Sequence, residues 1–483
     1  MSSDSTELVS LNKNDSSGNC ENGFHYLSLD EHANQDSNSI SQGERDRNDD
    51  TLTDFQGFML LIPSYIGFGF LGLPYMVKLL GLWVGSGGLL LYGFLTGLGS
   101  ILLAGTSQRL SERTGERFGD MGSALEMSIK LGPHCMQRHA GKFKSVFKIM
   151  VLKCENQRCF LDCCIIVNSG LLTSDLVSIT SLISIDILRP YADINDTLAI
   201  VVISVMLIPV YLTRRMKLLF RLALTGNTVL LGIFAVSFQY LCQDLPDTSM
   251  RPASKRIDYI TMTSFSNDVM FSYGGIISLL PIRDRMKSKK NFDGWNGLIG
   301  LVFAIIIASH VGCGFFGYLK FGEFTNVDFM LNLPRENWVF KSLAILSLLC
   351  MYCNIGMTVF VVTELIWTLV KENSSNTLIL KYGEYTCRIA LLVFCSTLTI
   401  LVPEFQILMS LTGCFSAFLL SLFIPLVVTI LTLSSDEEPT LFMDKIKRKI
   451  TLIFYIFLLT FAMYSIIAGT GVAIYTSIKQ IVL

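Results

Sequence analysis

Ser64-Tyr65-Ile66-Gly67-Phe68-Gly69-Phe70-Leu71-Gly72-Leu73-Pro74 lies inside an apolar run long enough to cross a bilayer, yet it holds three glycines and a proline. Both residue types weaken the helical ladder. In hydrocarbon a freed backbone group is tolerated only where protein or a water-filled cavity satisfies it. The stretch therefore predicts a discontinuous helix that lines a substrate site.

The remainder of the chain has the composition such a helix needs around it. Half of the residues are apolar (51%), only 16% are charged and the mean hydropathy is +0.51, which excludes a soluble globular class for this 483-residue chain. Apolar runs of about 20 residues, the length that spans the hydrocarbon layer, begin near Gly57, Leu82, Val146, Leu198, Leu218, Met262, Asn296, Trp338, Tyr385, Gln406 and Ile450. The expectation is an all-α polytopic membrane protein with eleven transmembrane helices. The first fifty-one residues, rich in Ser, Asn, Asp and Gly, bury too little apolar surface to fold and are expected to form a disordered cytoplasmic tail ahead of a transporter domain over 52–483. No apolar run precedes Asp54, so no signal peptide is read.

Loop charge sets the expected orientation. With the N-terminus cytoplasmic, the loops on that side collect Arg109, Arg113, Arg117, Lys142 and Lys144, then Arg214, Arg215 and Lys217, then Arg283 to Lys290, then Lys445 to Lys449. The opposite loops hold few basic residues, mainly Arg189, Arg251, Lys255, Arg256, Lys320 and Arg335, and this asymmetry is the positive-inside pattern. Asn195-Asp196-Thr197 is an acceptor triplet for N-glycosylation in an expected outer loop. In the tail, Tyr26-Leu27-Ser28-Leu29 has the spacing of a tyrosine-based sorting signal that an adaptor would read; chance matches to so short a pattern are common. The cysteines crowding the third run, Cys154, Cys159, Cys163 and Cys164, have no accompanying histidine and read as small apolar residues rather than a metal site. Nothing in the sequence points to a cofactor, a metal or a nucleic acid.

A second interruption falls in the sixth run, at Asp268-Val269-Met270-Phe271-Ser272-Tyr273-Gly274-Gly275, leading to Leu280-Pro281. Either glycine cluster alone is also what close helix packing would use. Five spans separate the two. That is the separation expected of a 5+5 inverted repeat over about 52–241 and 258–433, with an extra helix at 450–477, and interrupted helices at matching positions point to a midplane binding site. A zwitterion there needs both charges satisfied without bulk water. Unwound backbone from Ile66 through Gly67 and Phe68 to Gly69 offers donors to a carboxylate. Carbonyls around Phe271, Ser272 and Tyr273, beside Gly274 and Gly275, offer acceptors to an ammonium, with Ser64, Tyr65 and Phe68 at the side-chain pocket.

These motifs resemble a known family. The first run is similar to the Ile-Gly-x-Gly-x-Leu-Gly-Leu-Pro signature of the amino acid/auxin permease superfamily. Phe271 to Gly275 through Leu280-Pro281 and Arg283 to Met286, then Gly317 to Gly322, then Leu331-Asn332-Leu333-Pro334, resemble its proton-coupled amino acid transporter branch. The resemblance covers about Asp54 to Leu483 and implies the eleven-span inverted-repeat fold with cotransport of small neutral amino acids and protons. The chain also departs from the pattern. Ser64-Tyr65 replaces the usual Gly-Asn, Phe68 replaces a Thr found in many members, and Leu60 and Gly274 stand where proton-coupled members often carry a histidine and a glutamate.

Ionisable groups elsewhere in the membrane are the coupling candidates. Glu155, Arg158 and Asp162 share one helical face and read as an ion-pair staple or as a relay. His310 is a proton carrier or a hydrogen-bonded core residue. Asp268 replaces the missing glutamate or marks a helix start, and Asn354 is a ligand facing the first break or an interhelical hydrogen bond. The reading is a secondary active transporter of small amino acids at the plasma membrane or an endosomal or lysosomal membrane. Its rivals are an amino-acid sensor signalling through its cytoplasmic side, favoured by the lost coupling residues, and a channel, which lacks a filter motif here. The topology makes Asn195 accessible to glycosylation: expressed in a eukaryotic host, the wild-type band is expected to shift on glycosidase treatment and an Asn195→Gln protein is expected to run at the deglycosylated position.

Overall fold

The computed structural model describes residues 52–131 apart from 67, 68, 117 and 120, scattered helical positions between 167 and 184, and 195–482 apart from 215, 335–336, 374–376, 403–404 and 436–441. Tyr26 to Leu29, Glu155, Arg158, Asp162, Gly67 and Phe68 lie outside the described residues. Among those described, every regular element is helical.

The first apolar run is two helices, as its glycines require: α1 (Asp54–Ile66) and α2 (Leu73–Leu80), the second preceded by a 3₁₀ turn at Gly69–Gly72 and bent by 44° from the first. A long helix α3 (Leu82–Thr114) follows, closed by Gly115 in the left-handed conformation, whose amide donates back to the Ser111 carbonyl. A short α4 (Met121–Lys130) leads to the partly described 167–184 segment. Next come α5 (Asp196–Leu212) and α6 (Met216–Leu241). The sixth run is again divided, into α7 (Tyr259–Ser272), a 3₁₀ turn at Ile276–Ser278 and α8 (Leu279–Asp284). After a one-turn α9 (Lys289–Phe292), the chain continues through α10 (Leu298–Phe321), α11 (Trp338–Asn373) and α12 (Thr377–Leu401). Then α13 (Phe405–Thr412) passes through two π-helical turns, Gly413–Ala417 and Leu419–Phe423, into α14 (Ile424–Ser435), and the 41-residue α15 (Phe442–Val482) closes the chain.

Six of these helices are at least 18 residues long and apolar enough to cross a membrane, and the bent first pair makes a seventh. Thr197–Leu212 and Leu419–Ser435 are apolar but shorter, and the expected third span falls mostly on residues outside the described set. The chain is therefore a multi-pass membrane protein, helical throughout the regular elements of its described residues.

Two groups of helices carry most of the packing. In one, α2, α3, α7 and α10 lie together; in the other, α6 packs on α11 and α5 on α12, while α13, α14 and α15 cover α7 and α3. Without water in the bilayer, polar groups must be matched inside the protein. Buried Arg388 on α12 illustrates this: its guanidinium donates to the carbonyls of Tyr211 (3.0 Å) and Thr213 (3.2 Å) at the end of α5 and pairs with Glu384. At one end of the bundle, the main chain of 252–255 bonds to both sides of the α2–α3 junction, and Arg251 donates to the carbonyls of Leu319 and Lys320. At the other end Leu52 forms a parallel bridge with Met286. Its amide donates to the Arg285 carbonyl (2.7 Å) and its carbonyl accepts from Lys287 (3.0 Å), tying the chain before α1 to the segment after α8.

Where α3 crosses the second π turn, a Cβ on Gly99 would fall deep inside the contact distance of the Ser421 carbonyl oxygen, whereas a Cβ on Gly105 would meet nothing within 4 Å. Gly99→Ala is therefore expected to destabilise the protein by about 1–3 kcal/mol. Gly105→Ala should be neutral or add up to about 1 kcal/mol through helix propensity. Thermal unfolding in detergent distinguishes the two.

Candidate functional site

The two interrupted spans touch through bare backbone. A Cβ on Gly69 would overlap the Cα of Ser272 and lie 2.9 Å from its Cβ, and a Cβ on Gly275 would lie 2.5 Å from the Ser64 carbonyl oxygen and 2.8 Å from the Tyr65 Cα. Any side chain at either position would force the breaks apart. The glycines thus bring the two breaks against each other, so that main-chain groups from both helices face one small region.

The predicted site residues around this crossing divide into structural and accessible ones. Tyr65 is buried, its hydroxyl 2.9 Å from Ser100 Oγ on α3 and its ring edge-on to Phe303 of α10, 4.8 Å between centroids. Ser64 donates to the Leu60 carbonyl within its own helix, and Ile66 is buried. Phe271, Ser272 and Tyr273 are all buried, and Ser272 Oγ donates back to Val269. Past the end of α7, Gly274 donates to the Phe271 carbonyl (3.1 Å) and Gly275 to the Tyr273 carbonyl (3.0 Å), tight turns that replace the helical ladder. Gly274 itself is exposed between buried neighbours, and the nearest atom to an added Cβ is the Phe271 oxygen at 3.0 Å. It is the accessible point of the break.

His310 on α10 is brought directly to that break. Its Nδ1 lies 2.9 Å from the Ile306 carbonyl and its Nε2 lies 3.1 Å from the carbonyl of Ser272, the last residue of α7. The Tyr273 ring stacks on the imidazole at 4.5 Å and 18°, held there by its hydroxyl donating to the Leu89 carbonyl. Asp268 lies one turn earlier on α7, fully buried, with neither carboxylate oxygen hydrogen-bonded and Ser410 of α13 as its polar neighbour. Next to it, Asn267 donates to Ser410 Oγ (3.3 Å) and the Gly469 carbonyl (3.4 Å), joining α7 to α13 and α15. Asn354 is not brought to the crossing; its amide donates to Cys350 and packs beside Gly226 of α6. Asn195 is exposed and caps α5 by accepting from the Thr197 amide.

Asp175 is a buried polar group that the sequence pattern does not single out. It accepts from Thr412 Oγ1 (2.6 Å) at the last residue of α13, immediately before the π turns. Its one signal is that of a lone acid in the otherwise uncharged 165–185 stretch, weaker than the charged stripe from Glu155 to Asp162 that precedes it.

The loop after α10 covers the first break from one end of the bundle. Phe329 packs edge-on to Phe70 at 5.8 Å, and beside it Asp328 is buried, accepting from the Met330 amide (2.8 Å) with its second oxygen unpartnered. Burial pushes the Asp328 carboxyl up to about 7, against the opposing effect of the Met330 amide.

Two interrupted membrane helices joined through their main chains, with one accessible glycine between them, suit a transporter of small molecules better than an enzyme. The chain belongs to the family of transmembrane amino acid transporter proteins, whose model matches residues 50–470. It is similar to the proton-coupled amino acid transporter-like protein pathetic of Drosophila melanogaster, at 25% identity over 78% of this chain and 77% of that protein. It is also similar to vacuolar amino acid transporter 3 of Schizosaccharomyces pombe, at 25% identity over 58% of this chain and 38% of that protein.

Because the folded protein holds the Asp328 proton to about pH 7 while the unfolded chain releases it near 3.8, stability at this site is full below the lower value and is lost as pH rises through the upper one. Asp328→Asn keeps the acceptor for Met330. The variant is expected to lose the part of the wild-type decline in melting temperature that falls between these two pH values, as read by thermal melts in detergent across that range.

Proposed function

We propose that this protein is a secondary active transporter that moves small neutral amino acids by alternating access, with the cargo held at the crossing of the two interrupted spans. The observation that carries this reading is the exposed Gly274 beside helix-end carbonyls, at a crossing kept close by Gly69 and Gly275. The amides of Ile66, Gly67, Phe68 and Gly69 are assigned the cargo carboxylate, a role supported by Gly69, which opens the 3₁₀ turn leading into the positive start of α2. Carbonyls of Phe271 to Tyr273 end α7 and take the ammonium at its negative end. Ser64, Tyr65 and Phe68 are assigned to the border of the side-chain pocket, where the two aromatic residues narrow it towards small cargo.

The packing supports an eleven-span, 5+5 inverted repeat. Helices five spans apart in the expected order are neighbours: α2 with α7, α3 with α10, and α5 with α12, which is how two intertwined repeats meet. The names of the relatives, one proton-coupled amino acid transporter-like and one vacuolar amino acid transporter, agree with an amino acid cargo. Proton coupling at this site falls to Asp268 or His310, the candidates that adjoin the sixth-span break, with Glu155 and Asp162 as a separate relay. On the charge pattern of the loops, the N-terminus is cytoplasmic and Asn195 is outside or lumenal.

Gly274→Leu fills the accessible point, its Cβ meeting no side chain within 4 Å but pressing on the Phe271 carbonyl oxygen at 3.0 Å, so it is expected to lower alanine counterflow in proteoliposomes by about tenfold or more, with surface expression near wild type. Counterflow at wild-type level in this variant moves the cargo elsewhere. Alanine binding by the wild type with no counterflow turns the protein into a sensor.

A further inference from the structure

We infer that His310 and the amino group of the cargo compete for the Ser272 carbonyl oxygen, so that proton and amino acid cross the membrane in exchange. This rests on reading the sixth-span break as the seat of the cargo's amino group. A neutral imidazole has one N–H and one lone pair, yet both ring nitrogens of His310 face carbonyl oxygens, Ile306 at 2.9 Å and Ser272 at 3.1 Å. Only the doubly protonated ring donates to both. In either neutral tautomer one nitrogen lone pair confronts a carbonyl oxygen, and with the proton on Nδ1 the oxygen left without a donor is that of Ser272. The Tyr273 face, stacked at 4.5 Å, adds an aromatic surface that favours the cationic ring.

Ser272 is the last residue of α7, so its carbonyl is one of the helix-end acceptors without an intrahelical partner, at the negative end of the helix dipole. An ammonium needs such an acceptor. An imidazolium already on that oxygen would place a like charge beside the ammonium in a medium that screens poorly, which makes the two occupants mutually exclusive. No charged side chain among the described residues acts on the ring to change this. Tyr273 stacks on it, and Cys313 lies on the next turn of α10 with its Sγ 4.0 Å from the Phe70 carbonyl; Asp268, one turn before Ser272, adjoins Ser410. Around His310 on α10, Gly314 faces Val77 of α2 and Leu89 of α3, Ile307 faces Gly93 of α3, and Gly312 and Phe316 face Phe238 of α6, all of them uncharged.

Exchange has a direction opposite to cotransport. On the acidic side His310 takes a proton, donates to Ser272 and releases the amino acid; on the alkaline side it loses the proton and the amine docks. The cargo then accumulates in the acidic compartment. With purified protein in liposomes, labelled alanine is expected to concentrate inside acid-inside vesicles and not inside alkaline-inside ones. Accumulation on the alkaline side overturns the inference, and this comparison needs no variant. A second arm measures alanine affinity by thermal stabilisation in detergent, expected to weaken about fourfold between pH 7.5 and pH 3.5 in the wild type, with most of the loss below pH 5. His310→Gln should reduce that ratio to about twofold or less, and Tyr273→Leu should move the midpoint to lower pH by removing the face that favours the imidazolium. A wild-type ratio retained in His310→Gln overturns the inference. Proton-competed binding without alanine counterflow would sink the transport reading and leave the competition standing, whereas counterflow with an affinity blind to pH would do the reverse.

Discussion

The constraint on which this structure depends is that a helix may be broken inside a membrane only if something other than water receives the freed backbone groups. Here each break is covered by the other. Gly69 lets the first span lie on Ser272, Gly275 lets the sixth lie on Ser64 and Tyr65, and short turns at Gly274 and Gly275 take up some of the carbonyls at the end of α7.

Around this crossing the buried polar groups are few and each has a defined place. Tyr65 is fixed by Ser100, Tyr273 by Leu89, and Tyr92 donates to Ser266 at 2.7 Å, so three aromatic residues are oriented by single hydrogen bonds. On the far side of α7, Asn267 and Asp268 face α13, and Asp175 reaches the same helix through Thr412. Both acids therefore adjoin the helix that enters the π turns, a geometry that leaves main-chain bonds easier to rearrange than in a regular α-helix. The polar groups and the irregular backbone occur together.

Much of this is legible in the sequence, because glycines and a proline clustered inside one membrane-length apolar run interrupt the helix that the run would otherwise form. Both breaks fall where the motifs place them, at 66–69 and 272–276. The division of labour within the motifs is not legible there. Gly69 and Gly275 serve helix contact while Gly274 stays accessible, a difference that depends on which side of each helix meets its partner. His310 is legible as an ionisable group in a span but not as a neighbour of Ser272, since the contact joins residues 38 apart. Asp175 carries no charged neighbour at helical spacing to mark it, and Asn354 lies beside α6 because helical spacing alone does not say which neighbour a face meets.

The bridge between Leu52 and Met286 joins the chain entering α1 to the chain leaving α8, and these are the halves of the two broken spans at the same end of the bundle. Two main-chain hydrogen bonds would have to be given up to separate these halves, so the pair is joined as by a latch. Gly57, whose added Cβ would strike Met286 Sδ at 2.8 Å, keeps that latch closely seated. A displacement at Leu52 is therefore carried to the segment after α8 as directly as to the start of α1.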